Sequence, residues 1–435
     1  MSGGEAQQWP GGGWSRRGLL KSAAVAGLAG LPTLTGCGVG RGRKLRFWNG
    51  FTGPDGRTML GLIQEYDYGR EGPDVVMQRL DWGIYYNKLI VAGLGGRGPE
   101  VFVSHASTMR RLADAGVCTA LDALPGGEAG LEVSQIDANV LEAVRFEGRV
   151  WGLPLDVHPV GMYLNRGLLK EVGYGPDVSF PDRAAFVEML HRVRQRSRGG
   201  GGWGYVFSWL RWNAYTAMRQ WGGEIFAADG RSVVLASAEN EAALEFLVGL
   251  VARGLVPDPM QSGGFIGFRQ GRVATIFEGI YMLAELQRQT DLAWSPAALP
   301  TLGPRAAACG DSHVLCVAAG LDHDRQREAV ELLRFLSRRS LDWAAAGQVP
   351  VRPALRDTAR FREMRAQREF ATQIPQLAYF PQVPYVLEYQ SAFDVMVERV
   401  LRRSVAPGPA LRRAAEEIER AVDRYESRTP RRGEA

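Results

Sequence analysis

Lys44-Leu45-Arg46-Phe47-Trp48 alternates like a strand, and Met59, Leu62, Ile63 and Tyr66 follow it at helical spacing. The pattern then repeats. Asp74-Val75-Val76-Met77-Gln78 reads as a second strand, and residues 85–94 read as a helix stopped by Gly95-Gly96. Glu100-Val101-Phe102-Val103-Ser104 reads as a short apolar strand, followed by a helix over 108–115. Strands alternating with helices predict an α/β fold, a parallel sheet with helices on its faces.

Further along, residues 122–130 are loop-like, and 150–165 are extended and punctuated by Pro154 and Pro159. Phe186, Leu190 and Val193 give a helix at 182–196 one apolar face. The glycines at 199–202 mark a surface loop. Ser237 suits the N-cap of a helix carrying Leu244, Leu247, Val248 and Val251 and ended by Gly254. Residues 273–277 and 314–318 read as strands and 325–338 as an amphipathic helix. Leu411, Ile418, Val422 and Tyr425 line one face of a last helix. No internal repeat is evident.

Upstream, Ser15-Arg16-Arg17-Gly18-Leu19-Leu20-Lys21 precedes an apolar run that closes with Leu34-Thr35-Gly36-Cys37. A twin arginine, an apolar segment and small residues before a cleavage point predict an export signal over 1–36. The last four residues resemble a bacterial lipobox, which implies acylation of Cys37 and a tether over 37–43. A spanning helix needs about 20 predominantly apolar residues. Here Pro32, Ser22, two Thr and four Gly interrupt residues 18–36, which favours a cleaved leader. The route is either twin-arginine export of a folded chain or general secretion.

Without residues 1–36, 399 of the 435 residues remain, enough for two domains. The leader holds Arg16, Arg17 and Lys21 against Glu5, so of the formal net +5 the mature chain keeps +3. The arginines at 192–198 and 402–403 fit solvated helix faces better than a nucleic-acid patch. Setting Cys37 aside, Cys118, Cys309 and Cys316 remain, an odd number that excludes a full disulfide framework. Cys309 and Cys316 either pair or stay free. No paired-Cys zinc spacing occurs.

In an open α/β sheet, ligands bind beyond the carboxyl ends of strands. The first strand ends in Trp48-Asn49-Gly50-Phe51-Thr52, the second in Asp81-Trp82, the third in Ser104-His105. Trp151, Asp156 and His158 fall in the extended segment. Trp203, Trp209, Trp212 and Trp221 lie within 19 residues, Glu278-Gly279-Ile280-Tyr281 follows a strand, and Asp311-Ser312-His313 precedes one. The chain has 11 Trp. Trp suits a pyranose, whose C–H faces pack on an aromatic plane, while carboxylates and amides bind its hydroxyl rim. Each residue also has a plainer use. Any Trp can be core, Asp81 or Asp311 can cap a helix, Asn49 can form a turn, and the histidines can support neighbours.

Several segments resemble extracellular solute-binding proteins of bacterial ABC sugar importers, across most of residues 44–350. They are Trp48-Asn49-Gly50-Phe51-Thr52-Gly53-Pro54-Asp55, Tyr85-Tyr86-Asn87-Lys88-Leu89 with Gly98-Pro99-Glu100-Val101-Phe102, and Gly152-Leu153-Pro154 with Met162-Tyr163-Leu164-Asn165. Gln220-Trp221-Gly222-Gly223-Glu224-Ile225-Phe226, Phe268-Arg269-Gln270-Gly271-Arg272-Val273-Ala274 and Leu299-Pro300 complete the set. The resemblance implies two α/β lobes joined by crossover strands and closing around one sugar. The N-lobe would hold 44–156 and 300–340, the C-lobe 157–299 and 341–427, with a disordered tail at 428–435. It implies ligand contacts from Trp48, Asn49, Thr52, Asp81, Trp82, Ser104, His105, Asp156 and His158. Further contacts would come from Trp203, Trp221, Glu278, Gly279, Tyr281, Asp311 and His313. Trp48, Trp82, Trp221 and Asp311 are expected to share one crevice. Asp156, His158, Asp311 and His313 depart from the commonest sugar-binding pattern.

The implied partners are a sugar or oligosaccharide, the permease of an ABC transporter and a lipid anchor. The chain is expected to act as a monomer outside the cytoplasmic membrane, with no nucleic acid, cofactor, metal or catalytic residue. Two rival classes stand beside this. A secreted glycosidase would use two carboxylates from Asp81, Asp156, Glu278 and Asp311. A metal-capturing protein would use the strand-end histidines beside Asp311.

Overall fold

Leu45–Asn49 forms strand β1, and its burial alternates only at Arg46 because both faces are covered. Pro54 opens helix α1 (Pro54–Asp67), where a fixed φ and a missing N–H cost nothing. Met59, Leu62, Ile63 and Tyr66 are its buried stripe, as their spacing predicts. Strand β2 (Val75–Arg79) follows, then α2 (Trp82–Leu94), capped by Asp81 and closed at Gly95, then β3 (Val101–His105). A computed structural model describes residues 44–197, 202–259 and 263–428. The leader, Cys37, the tether and nearly all of the glycine loop and tail lie outside the described residues.

The remaining strands run from two to ten residues. They are β4 (Cys118–Thr119), a hairpin of β5 (Arg145–Phe146) and β6 (Arg149–Val150), β7 (Leu153–Pro154) and β8 (Asp156–Asn165). After them come β9 (Trp203–Tyr205), β10 (Val273–Gly279), β11 (Trp294–Ala297) and β12 (Ala308–Asp311). The last are β13 (His313–Ala318), β14 (Val349–Pro350) and β15 (Leu377–Tyr379). Two main sheets result. The first has the order β2-β1-β3-β13-β4, with β7 also on β13. The second has the order β15-β12-β8-β10-β9, with β11 and β14 also on β8.

Neither sheet is purely parallel, which corrects the simplest expectation from the βα rhythm. β2, β1 and β3 are parallel, but β13 runs antiparallel to β3, β4 and β7. Strand β8 is antiparallel to β10, β11, β12 and β14. The return into the first sheet starts at His313, not near residue 300, since Ala308–Asp311 pairs with β8 and β15. Trp343, Val349 and Val351 pack in the first core, although the sequence boundary assigns them to the C-lobe.

Each sheet has its own core. The first gathers Phe47, Phe102, Leu315 and Leu333, the second Met162, Phe186, Leu244 and Phe277. The helices Val386–Leu401 and Pro407–Arg428 close the second, with Leu411, Ile418 and Val422 turned inward. Ser237 caps the helix Ala238–Ala252 by accepting from the Asn240 N–H at 3.2 Å. Cys118, Cys309 and Cys316 are buried free thiols. Arg192 and Arg402 pair with Glu188 and Glu398 on exposed helix faces, the solvated arrangement expected of them. Among the described residues, no helix is long and apolar enough to cross a membrane.

Candidate functional site

The chain passes between the sheets at residues 154–156 and again at 311–313. There the Leu155 N–H donates to the His313 carbonyl at 2.8 Å. All ten residues of β8 are buried, and a strand buried on both faces is normally a continuous apolar run. This one begins Asp156-Val157-His158. A buried charge is tolerated only when paired and hydrogen-bonded. Asp156, with no exposed surface, accepts from His158 Nδ1 at 3.2 Å and the His313 backbone N–H at 3.0 Å. It also accepts from His313 Nδ1 at 2.7 Å and Trp343 Nε1 at 2.6 Å. Burial alone would raise its carboxyl pKa. The His313 charge and the histidine hydrogen bonds outweigh burial and hold it well below the carboxylate range. Burial pulls His313 down in turn, but the Asp156 charge and hydrogen bond leave it raised.

Rings surround this hub. Phe51 lies with its centre 4.8 Å from the His313 ring and 4.8 Å from Trp343. Trp82 lies 4.4 Å from His105 and stacks over His313 at 6.1 Å, 14° from parallel. Gly50 makes this possible, because a Cβ there would meet the Trp82 ring at 2.1 Å. His105 is fixed by Tyr86, whose hydroxyl oxygen is 2.5 Å from Nδ1 and accepts the His105 backbone N–H at 3.0 Å. Burial, then the charges of His313 and His158, push His105 well below its ordinary value. Asn49 Oδ1 accepts from the Phe51 N–H at 3.2 Å, while its buried Nδ2 has no partner among the described residues.

Asp311 closes the crossing from the other side. It accepts from Ser107 Oγ at 2.6 Å, the Ser107 N–H at 3.2 Å and the Ser312 N–H at 2.8 Å. Burial nonetheless raises its pKa. Ser312 Oγ bonds the Tyr379 hydroxyl at 2.7 Å.

A second group stands at the end of β10. Glu278 is 2% exposed and pairs with Gly161, three residues beyond His158 on β8, about 10 Å along the strand. Burial pushes its carboxyl up to about 7 against the opposing hydrogen bonds of Ser208 and the Gly279 N–H. The Tyr281 ring folds over Gly279, where a Cβ would meet it at 2.0 Å. Trp209, 49% exposed, stands 5.6 Å from Tyr281 and 6.1 Å from Trp212.

Thus Asn49, Trp82, His105, Asp156, His158, Asp311 and His313 come together, and Glu278, Gly279 and Tyr281 form the neighbouring group. The other expected contacts are placed elsewhere. Trp48 is buried in the first core, with Lys88 Nζ of α2 5.6 Å from its ring centre. Trp221 ends the helix Leu210–Trp221 under Arg183, at 4.9 Å, and beside Phe246. Trp203 pairs with Val273, at the end of β10 opposite Glu278, and lies under Arg194. Asp81 accepts from the Gly83 N–H and caps α2. Ser104 is buried and donates to the His105 carbonyl, and Thr52 is exposed.

Sequence reasoning did not select Phe51, Asp55, Tyr86, Ser107, Trp209, Trp343 or Tyr379. Tyr86 had a signal, since it follows Trp82 by one helical turn and must share its face. Asp55 lies in the electrostatic reach of His313, and burial raises its pKa. Trp343 had none, because 187 residues separate it from the carboxylate it serves.

Residues 52–337 match the family described as bacterial extracellular solute-binding protein. A lactose-binding protein of Rhizobium radiobacter is 26% identical over 246 residues, covering 53% of this chain and 56% of that protein. The chain therefore spans only about half the length of that curated relative. The sugar-binding protein MalE of Xanthomonas citri shares the fold with a TM-score of 0.76. It is 17% identical over 90% of this chain and all of that one. UgpB of Mycobacterium tuberculosis, solved with glycerophosphocholine, has a TM-score of 0.74 at 20% identity, over 88% of this chain and 99% of that one. The architecture is thus that of two-lobed binding proteins, and their ligands are not all sugars. With well over half of its length matched, this chain belongs to the bacterial extracellular solute-binding protein family.

Proposed function

We propose that the chain captures a sugar or oligosaccharide and delivers it to the membrane permease of an ABC importer. One observation carries this: polar and aromatic residues from several strand ends gather where the chain crosses between two sheets. The unpartnered Asn49 amide and the half-buried Trp82 face supply one side, and Glu278, Trp209 and Tyr281 the other. A pyranose needs such a mixture, an aromatic plane for its C–H face and placed polar groups for its rim. The Rhizobium and Xanthomonas proteins, named for lactose and sugar binding, favour the same ligand class.

The mechanism is hinge closure. The crossings at 154–156 and 311–313 are the segments that bend, and sugar favours the closed form by its greater affinity for it. The protein binds and does not turn its ligand over. Asp156 already has four donors, Asp311 has three and Asp81 caps a helix, which leaves Glu278 alone where glycoside hydrolysis needs two free carboxylates. The lipobox residues 34–37 support acylation at Cys37, which would hold a monomeric receptor at the outer face of the membrane.

Titration with a panel of mono- and oligosaccharides, read by Trp fluorescence and by calorimetry, tests the assignment. A saturable response to at least one sugar is expected. Silence in both readouts across the panel, from folded protein, overturns it. Mass spectrometry of the N-terminus tests the anchor, which an unmodified Cys37 on the exported chain would refute.

A further inference from the structure

We propose that His105, His158 and His313 form a binding site for a divalent transition-metal ion of the zinc class, tying the strands of the two sheets together at their crossing. This goes beyond solute capture, for which no metal is expected. One ring nitrogen from each histidine lies within 4.8 Å of the others. The ring centres are 4.5, 5.2 and 5.9 Å apart. Zinc takes imidazole nitrogens at about 2.0–2.1 Å in a tetrahedron, which puts ligand atoms about 3.4 Å apart. Drawing the rings in by about an ångström achieves this, a shift that side-chain rotation supplies.

The outer contacts are those a metal histidine needs. An ionised carboxylate can only accept, so Asp156 fixes the proton of His158 and His313 on Nδ1. Nε2 of each is the nitrogen left for an ion, which displaces the second proton of a charged His313 as it binds. Ligating histidines almost always hold the other ring nitrogen against a carboxylate, a carbonyl or water. One buried carboxylate serving two imidazoles in this way is a strong form of that arrangement. On His105 the Tyr86 hydroxyl occupies Nδ1, with the Ser104 and Thr108 hydroxyls beside the phenol to take its proton.

The placement gives the ion a structural consequence. His105 ends β3 and His313 begins β13, both in the first sheet, whereas His158 lies on β8 of the second. An ion held by all three therefore joins the two sheets directly, next to the segments that bend. The Asp156 carboxylate, bonded to two of the three rings, balances part of a divalent ion's charge. The set leaves a fourth position for water.

The test uses the full chain without a polyhistidine tag, stripped by chelator and titrated with zinc chloride in a calorimeter. One equivalent is expected to bind with Kd below about 1 µM, raising the unfolding midpoint by several degrees. His105→Ala or His158→Ala should each weaken binding at least about 30-fold. His191→Ala and His323→Ala, at the two exposed histidines, should leave it unchanged. Asp156→Asn should weaken it about 10–100-fold, the usual effect of losing an outer carboxylate. Because buried substitutions can unfold a protein, wild-type chain loaded with cobalt gives a readout independent of variants: the intense visible bands of tetrahedral nitrogen coordination. Zinc binding that survives His105→Ala and His158→Ala, or folded wild type with no saturable zinc or cobalt signal below about 100 µM, overturns the site.

Discussion

Asp156 and Glu278 are both buried carboxylates on neighbouring strands, yet their surroundings push them in opposite directions. Asp156 has four N–H donors, two of them on a raised histidine, and stays ionised. Glu278 has one serine and one backbone N–H among tyrosines and is pushed up to about 7. Burial is the largest influence on both. What differs is the number of hydrogen bonds and charges set against it. The first is a built junction that holds segments in place. The second is an underserved acid, which a ligand hydroxyl could serve.

The sharpest way to break this contrast is to remove the Asp156 acceptor. Asp156→Ala strands three N–H groups of His313 and Trp343 and one of His158 in a buried place. A loss of about 3–5 kcal/mol is expected, the range for breaking a buried charge pair. Urea unfolding measures it. Asp156→Asn keeps one acceptor oxygen and should lose clearly less. A loss under about 1 kcal/mol for Asp156→Ala would show that the junction is not held as described.

The pH response of Glu278 comes next in size. Its raised pKa means that the folded state holds the proton more tightly than the unfolded state. Stability from this group is complete below about 4.5 and is lost as pH rises through about 7, with no further change above. The full span is worth at most about 3 kcal/mol. Glu278→Gln mimics the protonated form, so it should remove this slope and be about 2 kcal/mol more stable than wild type at pH 8. Unfolding midpoints of both proteins between pH 4.5 and 8 decide it. Parallel profiles would move the slope to another group.

The residues that carry the junction were partly legible in the sequence. The βα rhythm of residues 44–105 gave the parallel core of the first sheet, because local periodicity reports which face of each element is buried. His105, Asp156, His158, Asp311 and His313 were found because polar residues stood where strands end. The antiparallel return of β13 and the Trp343 contact were not legible. They depend on pairings between distant segments, which no local pattern encodes. The indoles divide by place. Trp48, Trp221 and Trp203 have Lys88, Arg183 and Arg194 over their rings. Trp82 differs because α2 begins at the end of a strand, and that placement sets its ring over His313.

Two glycines compare the regions at finer scale. Gly50→Ala drives a methyl into Trp82, which is packed against Phe51, His105 and Tyr86 and cannot swing free. A cost of about 1–3 kcal/mol is expected, as for other overpacked sites. Gly279→Ala drives one into Tyr281, whose outer neighbour Trp209 is half exposed, so the ring can turn aside for about 1 kcal/mol or less. Equal costs would erase the distinction between a rigid and a yielding side.

The smallest effect separates ligand contact from bulk. Trp82→Phe keeps a ring over His313 but removes the indole, and should abolish most of any fluorescence change that sugar produces while lowering stability by under about 1.5 kcal/mol. Trp221→Phe, beneath Arg183 at the far end of its helix, should lower total emission and leave the sugar-dependent fraction intact. The two variants share one chemistry and differ only in place. If Trp221→Phe instead removes the response, the ligand lies beside the helix Leu210–Trp221, and the junction at Asp156 is a structural hinge without contact to solute.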